Sequence, residues 1–114
     1  MTDSPWHGDA TSLVDAFRAG ERSPKEELQA TLAAIEARRL NAFSHLDPER
    51  ALAAAESADV NLPFGGVPVG IKELDAVVGW PDTDASLVFK DRIATENSPI
   101  VERLLDDGGA VPVG

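Results

Sequence analysis

The sequence contains no cysteine among its 114 residues, which excludes a disulfide framework, a thiolate metal site and a cysteine nucleophile. It has no apolar run near the roughly 20 residues that cross a bilayer, and Met1–Asp9 lacks the basic start and apolar stretch of a signal peptide. Basic residues are scarce: 10 Lys and Arg stand against 20 Asp and Glu, for a formal charge of -10. Because such a surface repels phosphate backbones, we expect no nucleic-acid partner. Since the sequence has neither a membrane-crossing run nor a signal peptide, we also expect no membrane partner and a cytoplasmic location.

What is present is the composition of a folded globule, with 43% hydrophobic and 26% charged residues. Helix starts are marked by a capping side chain followed by proline, at residues 23–24, 47–48 and 98–99. A further helix is expected to begin at Leu13, with Ser12 as its cap, and to stop at Gly20. The predicted helices therefore cover residues 13–19, 24 to about 40, 48–58 and 99 to about 107, the last with Ile100, Val101, Leu104 and Leu105 as its buried face.

Strand signals are short. Residues 67–71 alternate valine and isoleucine with proline and glycine, which predicts a strand with two unlike faces. Residues 41–46 alternate weakly, and residues 110–114 resemble the opening of a buried strand. Since a complete domain rarely stops on a buried element, we expect the chain to continue in a longer protein. Helix–strand alternation favours an α/β arrangement, mainly helical over residues 1–60.

One of the three lysines stands out as a candidate for chemistry. Lys25 and Lys90 have polar neighbours, whereas Lys72 follows the uncharged run 67–71. Burying an unpaired ammonium costs several kcal/mol, so burial favours the neutral amine, which can act as a general base. The alternative is that Lys72 ends a strand and reaches into water. The pattern alone favours this second interpretation. Trp80 is a candidate for the lining of a substrate cleft. A large apolar residue of this kind more commonly belongs to the core.

Several motifs occur together in the order typical of one family. Residues 63–74 (PFGGVPVGIKEL), 79–83 (GWPDT) and 85–86 (AS) resemble the first conserved block of the amidase signature family. Residues 98–105 and 108–111 are similar to that family's next helix and strand, so the resemblance covers nearly the whole chain. Two positions depart from the pattern. Glu73 replaces the usual aspartate, and Ala85 replaces a common glycine, which leaves the local turn open.

The resemblance implies an α/β fold made of N-terminal helices plus the first strands of the family's mixed sheet with flanking helices. Residues 1–114 would then be the N-terminal part of a single amidase domain, with its core starting at residue 61. It also implies a hydrolase in which a lysine, a bridging serine in a cis peptide and a nucleophilic serine cleave carboxamide C–N bonds to a carboxylate and ammonia or an amine. Lys72 matches the lysine of this alternative to a histidine triad. A small-molecule amide substrate is implied, and no cofactor or metal.

The two serines of that mechanism have no match here. The sequence has no Ser-Ser pair and no Gly-Gly-Ser segment, and Ser44, Ser57, Ser86 and Ser98 fit helix caps or unassigned positions. We therefore expect this chain alone to be inactive. We also expect it to self-associate, because its predicted strands would have unpaired edges. Two alternatives stay open: a non-catalytic acidic domain that binds a partner, and an aminoacyl-tRNA amidotransferase subunit, which shares the lysine block.

Overall fold

The structure is a computed structural model that describes residues 4–114, and it has the predicted α/β character. Its elements are α1 (Ala10–Arg18), α2 (Pro24–Arg38), α3 (Pro48–Glu56), β1 (Pro68–Val69), a 3₁₀ turn (Leu87–Phe89), α4 (Pro99–Glu102) with a π-helical continuation (Arg103–Asp107), and β2 (Val111–Pro112). Over the described residues, no helix combines the length and the apolar character that crossing a membrane requires.

Helices α2 and α3 begin where the sequence predicts. The Ser23 hydroxyl accepts a hydrogen bond from the Glu26 amide at 3.1 Å, and the Glu26 carboxylate accepts one from the Ser23 amide at 3.2 Å, which completes a capping box. Asp47 caps α3 by accepting from the Arg50 amide at 3.2 Å. Arg39 adopts a left-handed backbone (φ 51°) and ends α2. Both predicted starts are confirmed.

Helix α1 begins at Ala10, so the prediction of a start at Leu13 with Ser12 as its cap is wrong. Asp9 is the capping residue, and its carboxylate accepts from the Ser12 amide at 2.8 Å. The Ser12 hydroxyl is engaged elsewhere, because it accepts from the Trp6 indole nitrogen at 2.9 Å. The hydrogen bond from the Ser12 amide lowers the pKa of Asp9 from its ordinary value.

The sheet is a two-residue parallel ladder, in which Pro68 lies opposite Val111 and Val69 opposite Pro112. The two predicted strands are confirmed but are shorter than expected. The expectation of a strand over residues 41–46 is wrong. Asn41 has φ 53°, and this left-handed backbone just after the left-handed Arg39 takes the chain out of extended geometry.

Three apolar clusters hold these elements together. Their buried members are Leu28, Ala51, Ala55, Val111 and Val113 between α2, α3 and β2; Leu13, Val14, Phe17 and Val67 under α1; and Val77, Trp80 and Val101 near α4. Ile100 was expected in the buried face of the last helix, but it is 64% exposed. Val101 and Leu105 contact the third cluster. Because successive residues of a helix point about 100° apart, Ile100 then turns away from it.

Candidate active site

A cavity of about 350 Å³ opens where the chain leaves the two parallel strands. It is lined by Ala42, Phe43, Ser44, His45, Gly70, Ile71, Lys72, Glu73, Asp75, Val77, Trp80, Pro81 and Gly114. The lining thus combines the residues that follow β1, Gly114 just beyond β2, and the connection between α2 and α3. The carboxyl ends of parallel strands are where α/β proteins commonly bind ligands.

Backbone hydrogen bonds fix the three segments around this cavity. The Ile71 amide donates to the Gly114 carbonyl at 2.8 Å, and the Asp47 amide donates to the Val113 carbonyl at 2.9 Å. Gly114 lies so close to the α2–α3 connection that a Cβ there would stand 2.2 Å from the His45 carbonyl oxygen. The lining is therefore set by main-chain contacts, and any side chain at Gly114 would force the segments apart.

Lys72 lies in the cavity lining and is exposed, which agrees with the interpretation that the pattern alone favours and not with a buried neutral amine. The physical reason is the short ladder. Strand β1 ends at Val69, and the chain then turns, with the Asp75 amide donating to the Lys72 carbonyl at 2.8 Å. Lys72 therefore stands past the sheet, at the mouth of the cavity. Glu73 lies beside it and accepts a short hydrogen bond from the Thr83 hydroxyl.

Trp80 forms a buried part of the lining and is 6% exposed. Its indole nitrogen donates to the Asp47 carboxylate at 2.8 Å, and its ring meets the His45 ring edge to face, with the centroids 5.3 Å apart. The Arg50 guanidinium lies 5.5 Å from the Trp80 ring centroid. Trp80 thus packs in the third apolar cluster and also forms part of the cavity wall. The sequence predicted Asp47 as a helix cap but gave no local signal for its bond to Trp80, which is 33 residues away.

The four serines singled out in the sequence occupy different positions, and Ser44 lies beside His45 in the cavity lining. Ser44 lines the cavity, Ser57 donates to the Ala53 carbonyl at 3.0 Å, and Ser86 caps the 3₁₀ turn. Ser98 occupies the cap position of α4, yet its hydroxyl makes no capping bond, so its expected capping bond is absent. His45 lines the cavity with its Nε2 buried and unpaired. Across residues 4–114, no group of three His, Asp or Glu residues is arranged to hold a metal ion.

The chain is similar to known proteins over most of its length. A family model described as Amidase matches residues 26–114. The A subunit of glutamyl-tRNA(Gln) amidotransferase from Akkermansia muciniphila is 38% identical over 101 residues, which cover 88% of this chain and 21% of that protein.

Two solved structures share the fold at a TM-score of 0.84. One is 6-aminohexanoate cyclic dimer hydrolase complexed with substrate, 30% identical, with 94% of this chain and 23% of that chain covered. The other is a vestigial protein complex that bears on the origins of an s-triazine catabolic enzyme, 26% identical, with 94% and 25% covered. The chain spans about a quarter or less of the length of these relatives. With a family match over most of its residues and the predicted motifs in place, the chain belongs to the amidase family.

Proposed function

We propose that this chain is the N-terminal part of an amide-hydrolysing enzyme in which Lys72 is the general base. The observation that carries the proposal is the position of Lys72, in the lining of a cavity at the carboxyl ends of the β1–β2 pair and inside the span matched by the amidase family model. The substrate is a small-molecule carboxamide, and its hydrolysis requires no cofactor.

In this mechanism the neutral amine of Lys72 accepts the proton of a bridging serine, which in turn takes the proton of a nucleophilic serine. The activated oxygen attacks the amide carbon, the proton held by Lys72 returns through the bridging serine to the nitrogen as the C–N bond breaks, and ammonia or an amine leaves. Water, deprotonated through the same two groups, then attacks the acyl-enzyme and releases the carboxylate as the nucleophilic serine regains its proton. Both serines belong to a part of the protein outside these 114 residues. Lys72 is exposed in these 114 residues, and the mechanism requires that water be excluded from its amine, because exclusion of water favours the neutral form.

The decisive experiment replaces Lys72 in the longer protein that carries these residues. Lys72→Ala should lower kcat for benzamide about 10²–10⁴-fold, the usual contribution of a general base. Lys90→Ala is the matched control. It removes another exposed lysine, one absent from the cavity lining, and should keep wild-type turnover. A Lys72→Ala enzyme with normal benzamide hydrolysis and an unchanged melting curve would refute the role of Lys72, whereas a folded wild-type protein that hydrolyses no amide would favour the non-catalytic partner-binding alternative.

A second candidate function is favoured by the relatives, several of which carry the name of the A subunit of glutamyl-tRNA(Gln) amidotransferase. A protein of that kind would release ammonia from an amide donor for transfer to a charged tRNA. Ammonia release from glutamine and from benzamide, measured with the same protein preparation, separates the two functions. Free-standing amidase chemistry predicts turnover of benzamide without any partner. Turnover confined to glutamine and dependent on added partner proteins would favour the amidotransferase.

A further inference from the structure

Asp47 joins three parts of the molecule at the cavity. One carboxylate oxygen accepts from the Arg50 amide at 3.2 Å and caps α3, while the other accepts from the Trp80 indole nitrogen at 2.8 Å. Its own amide donates to the carbonyl of Val113, the residue after β2, at 2.9 Å. A carboxylate that accepts two hydrogen bonds while its amide is also bonded has little rotational freedom. Trp80 is therefore held by a rigid partner.

Helix α3 holds the Trp80 segment at a second point. The Arg50 guanidinium lies 5.5 Å from the indole centroid, within cation–π range, and donates to the Val78 carbonyl at 2.9 Å. Trp80 itself packs with Val77 and Val101 and is 6% exposed. The indole cannot turn without breaking these contacts, so the shape of this side of the cavity is fixed before any ligand arrives.

The cavity lining has two chemical characters. Phe43, His45 and Trp80 contribute three aromatic rings, and Glu73 and Asp75 contribute carboxylates. Aromatic side chains favour flat apolar groups in offset or edge-to-face contact, as the His45–Trp80 pair already shows. Lys72 also lines the cavity, and with its amine neutral, as the proposed mechanism requires, the two carboxylates are the charges that remain and they repel a negatively charged ligand. This combination suits an uncharged amide that carries a flat apolar group.

We propose that Trp80 is a specificity-determining residue of this site, selecting uncharged amides with a flat apolar group, and that Asp47 is the residue that positions it. The inference rests on the proposed amide hydrolysis and adds the class of substrate. Asp47 acts through the indole, so its removal should change discrimination between substrates more than it changes turnover.

The test separates the positioning of Trp80 from the capping of α3. Asp47→Ser keeps a good N-cap but is too short to reach the indole, and Trp80→Phe keeps a ring but removes the indole N–H. In the longer protein, each variant should lower the ratio of kcat/KM for benzamide to kcat/KM for acetamide about five-fold. The change should arise in KM, and five-fold is the factor that about 1 kcal/mol of differential binding produces. Turnover of the anionic amide succinamate should be poor throughout. Ser23→Ala, which removes the remote cap of α2, should leave the ratio unchanged.

A double-mutant cycle shows whether Asp47 acts through Trp80. If it does, Asp47→Ser should have no further effect on the ratio in the Trp80→Phe background. Independent, additive effects, or an unchanged ratio in either single variant, would overturn the inference.

A spectroscopic measurement on the 114-residue chain needs no activity. With Trp6→Phe, Trp80 is the sole tryptophan. Adding Asp47→Ser should then shift the emission to longer wavelength and increase quenching by acrylamide, whereas adding Ser23→Ala should not. Unchanged emission would refute the positioning role whatever the enzyme does. Normal benzamide turnover by Lys72→Ala would instead refute the proposed mechanism, so the two failures are distinguishable.

Discussion

The buried ion pair between Arg22 and Glu27 gives a sharp stability prediction. Arg22 is 7% exposed and Glu27 is 3% exposed, and the guanidinium Nε lies 2.9 Å from a Glu27 carboxylate oxygen. The carboxylate also accepts from the Trp6 amide at 3.0 Å, and Arg22 donates to the Ser4 carbonyl. The pair therefore ties the segment before α1 to α2. Either charge left without the other would be buried and uncompensated.

The size of the effect follows from this burial. Removing one partner of a buried pair costs about 3–5 kcal/mol, because the remaining charge is neither paired nor hydrated. Glu27→Gln keeps the side-chain volume and an oxygen for the Trp6 amide, so its cost isolates the lost charge. A complete domain of this length unfolds with a free energy of about 6–17 kcal/mol, so the loss is large even against the stability of a complete domain. A fall of at least about 10 °C in Tm is expected.

Urea unfolding of the 114-residue chain, followed by far-UV circular dichroism, measures the cost. Glu27→Gln and Arg22→Met should each lower the midpoint strongly with little change in m. The double variant should lose less than the sum of the two, since it leaves no unpaired charge. Lys25→Met is the control, because the Lys25–Glu56 pair is exposed (side chains 50% and 54%) and should contribute at most about 1 kcal/mol. Additive single costs, or a cost below about 1 kcal/mol for Glu27→Gln, would refute the reasoning.

Two further predictions concern a glycine and a cap. Gly66→Ala should destabilise the chain by more than Gly79→Ala in the same urea assay. Both glycines have a left-handed backbone, but a Cβ at Gly66 would stand 2.6 Å from the Pro24 side chain, whereas a Cβ at Gly79 would meet open space. The left-handed backbone alone costs about 1–2 kcal/mol, and equal losses would contradict the packing argument. The pKa of Asp9 is lowered from 3.8 in the folded chain, so its stabilising effect is present above pH 3.8 and is lost as the pH falls through the lower folded value. Asp9→Asn should reduce the fall in stability over that acidic range, and an unchanged pH profile would count against the cap.

Local signals predicted the helices well because their stabilising partners are close in sequence. The capping box at Ser23 and Glu26 spans one helical turn, so the residues themselves specify it. The start of α1 was missed because the Ser12 hydroxyl is taken by Trp6, a residue outside the helix. Ile100 was misplaced because its exposure depends on which face of α4 the third cluster contacts, and that contact is made by distant residues.

The candidate site was predicted only in part. The motif around Lys72 lies in a segment that lines the cavity, and the chain's membership of the amidase family confirms the resemblance. The exposure of Lys72 agrees with the interpretation that the pattern alone favours, but the point at which the ladder stops, which causes this exposure, could not be read from the apolar run. The turn left open by Ala85 is settled: Asp84 and Ala85 have φ 50° and 55°, so the left-handed bend is kept without glycine.

The ladder between β1 and β2 also constrains the order of folding. Pro68 pairs with Val111, and everything between them must close into a loop before the first rung forms. Loop closure is entropically unfavourable, and a two-residue ladder returns few hydrogen bonds for it. The helices, whose contacts are local, can form before that step, so we expect strand pairing to be a late event that depends on α2 and α3 already providing a surface for Val111 and Val113.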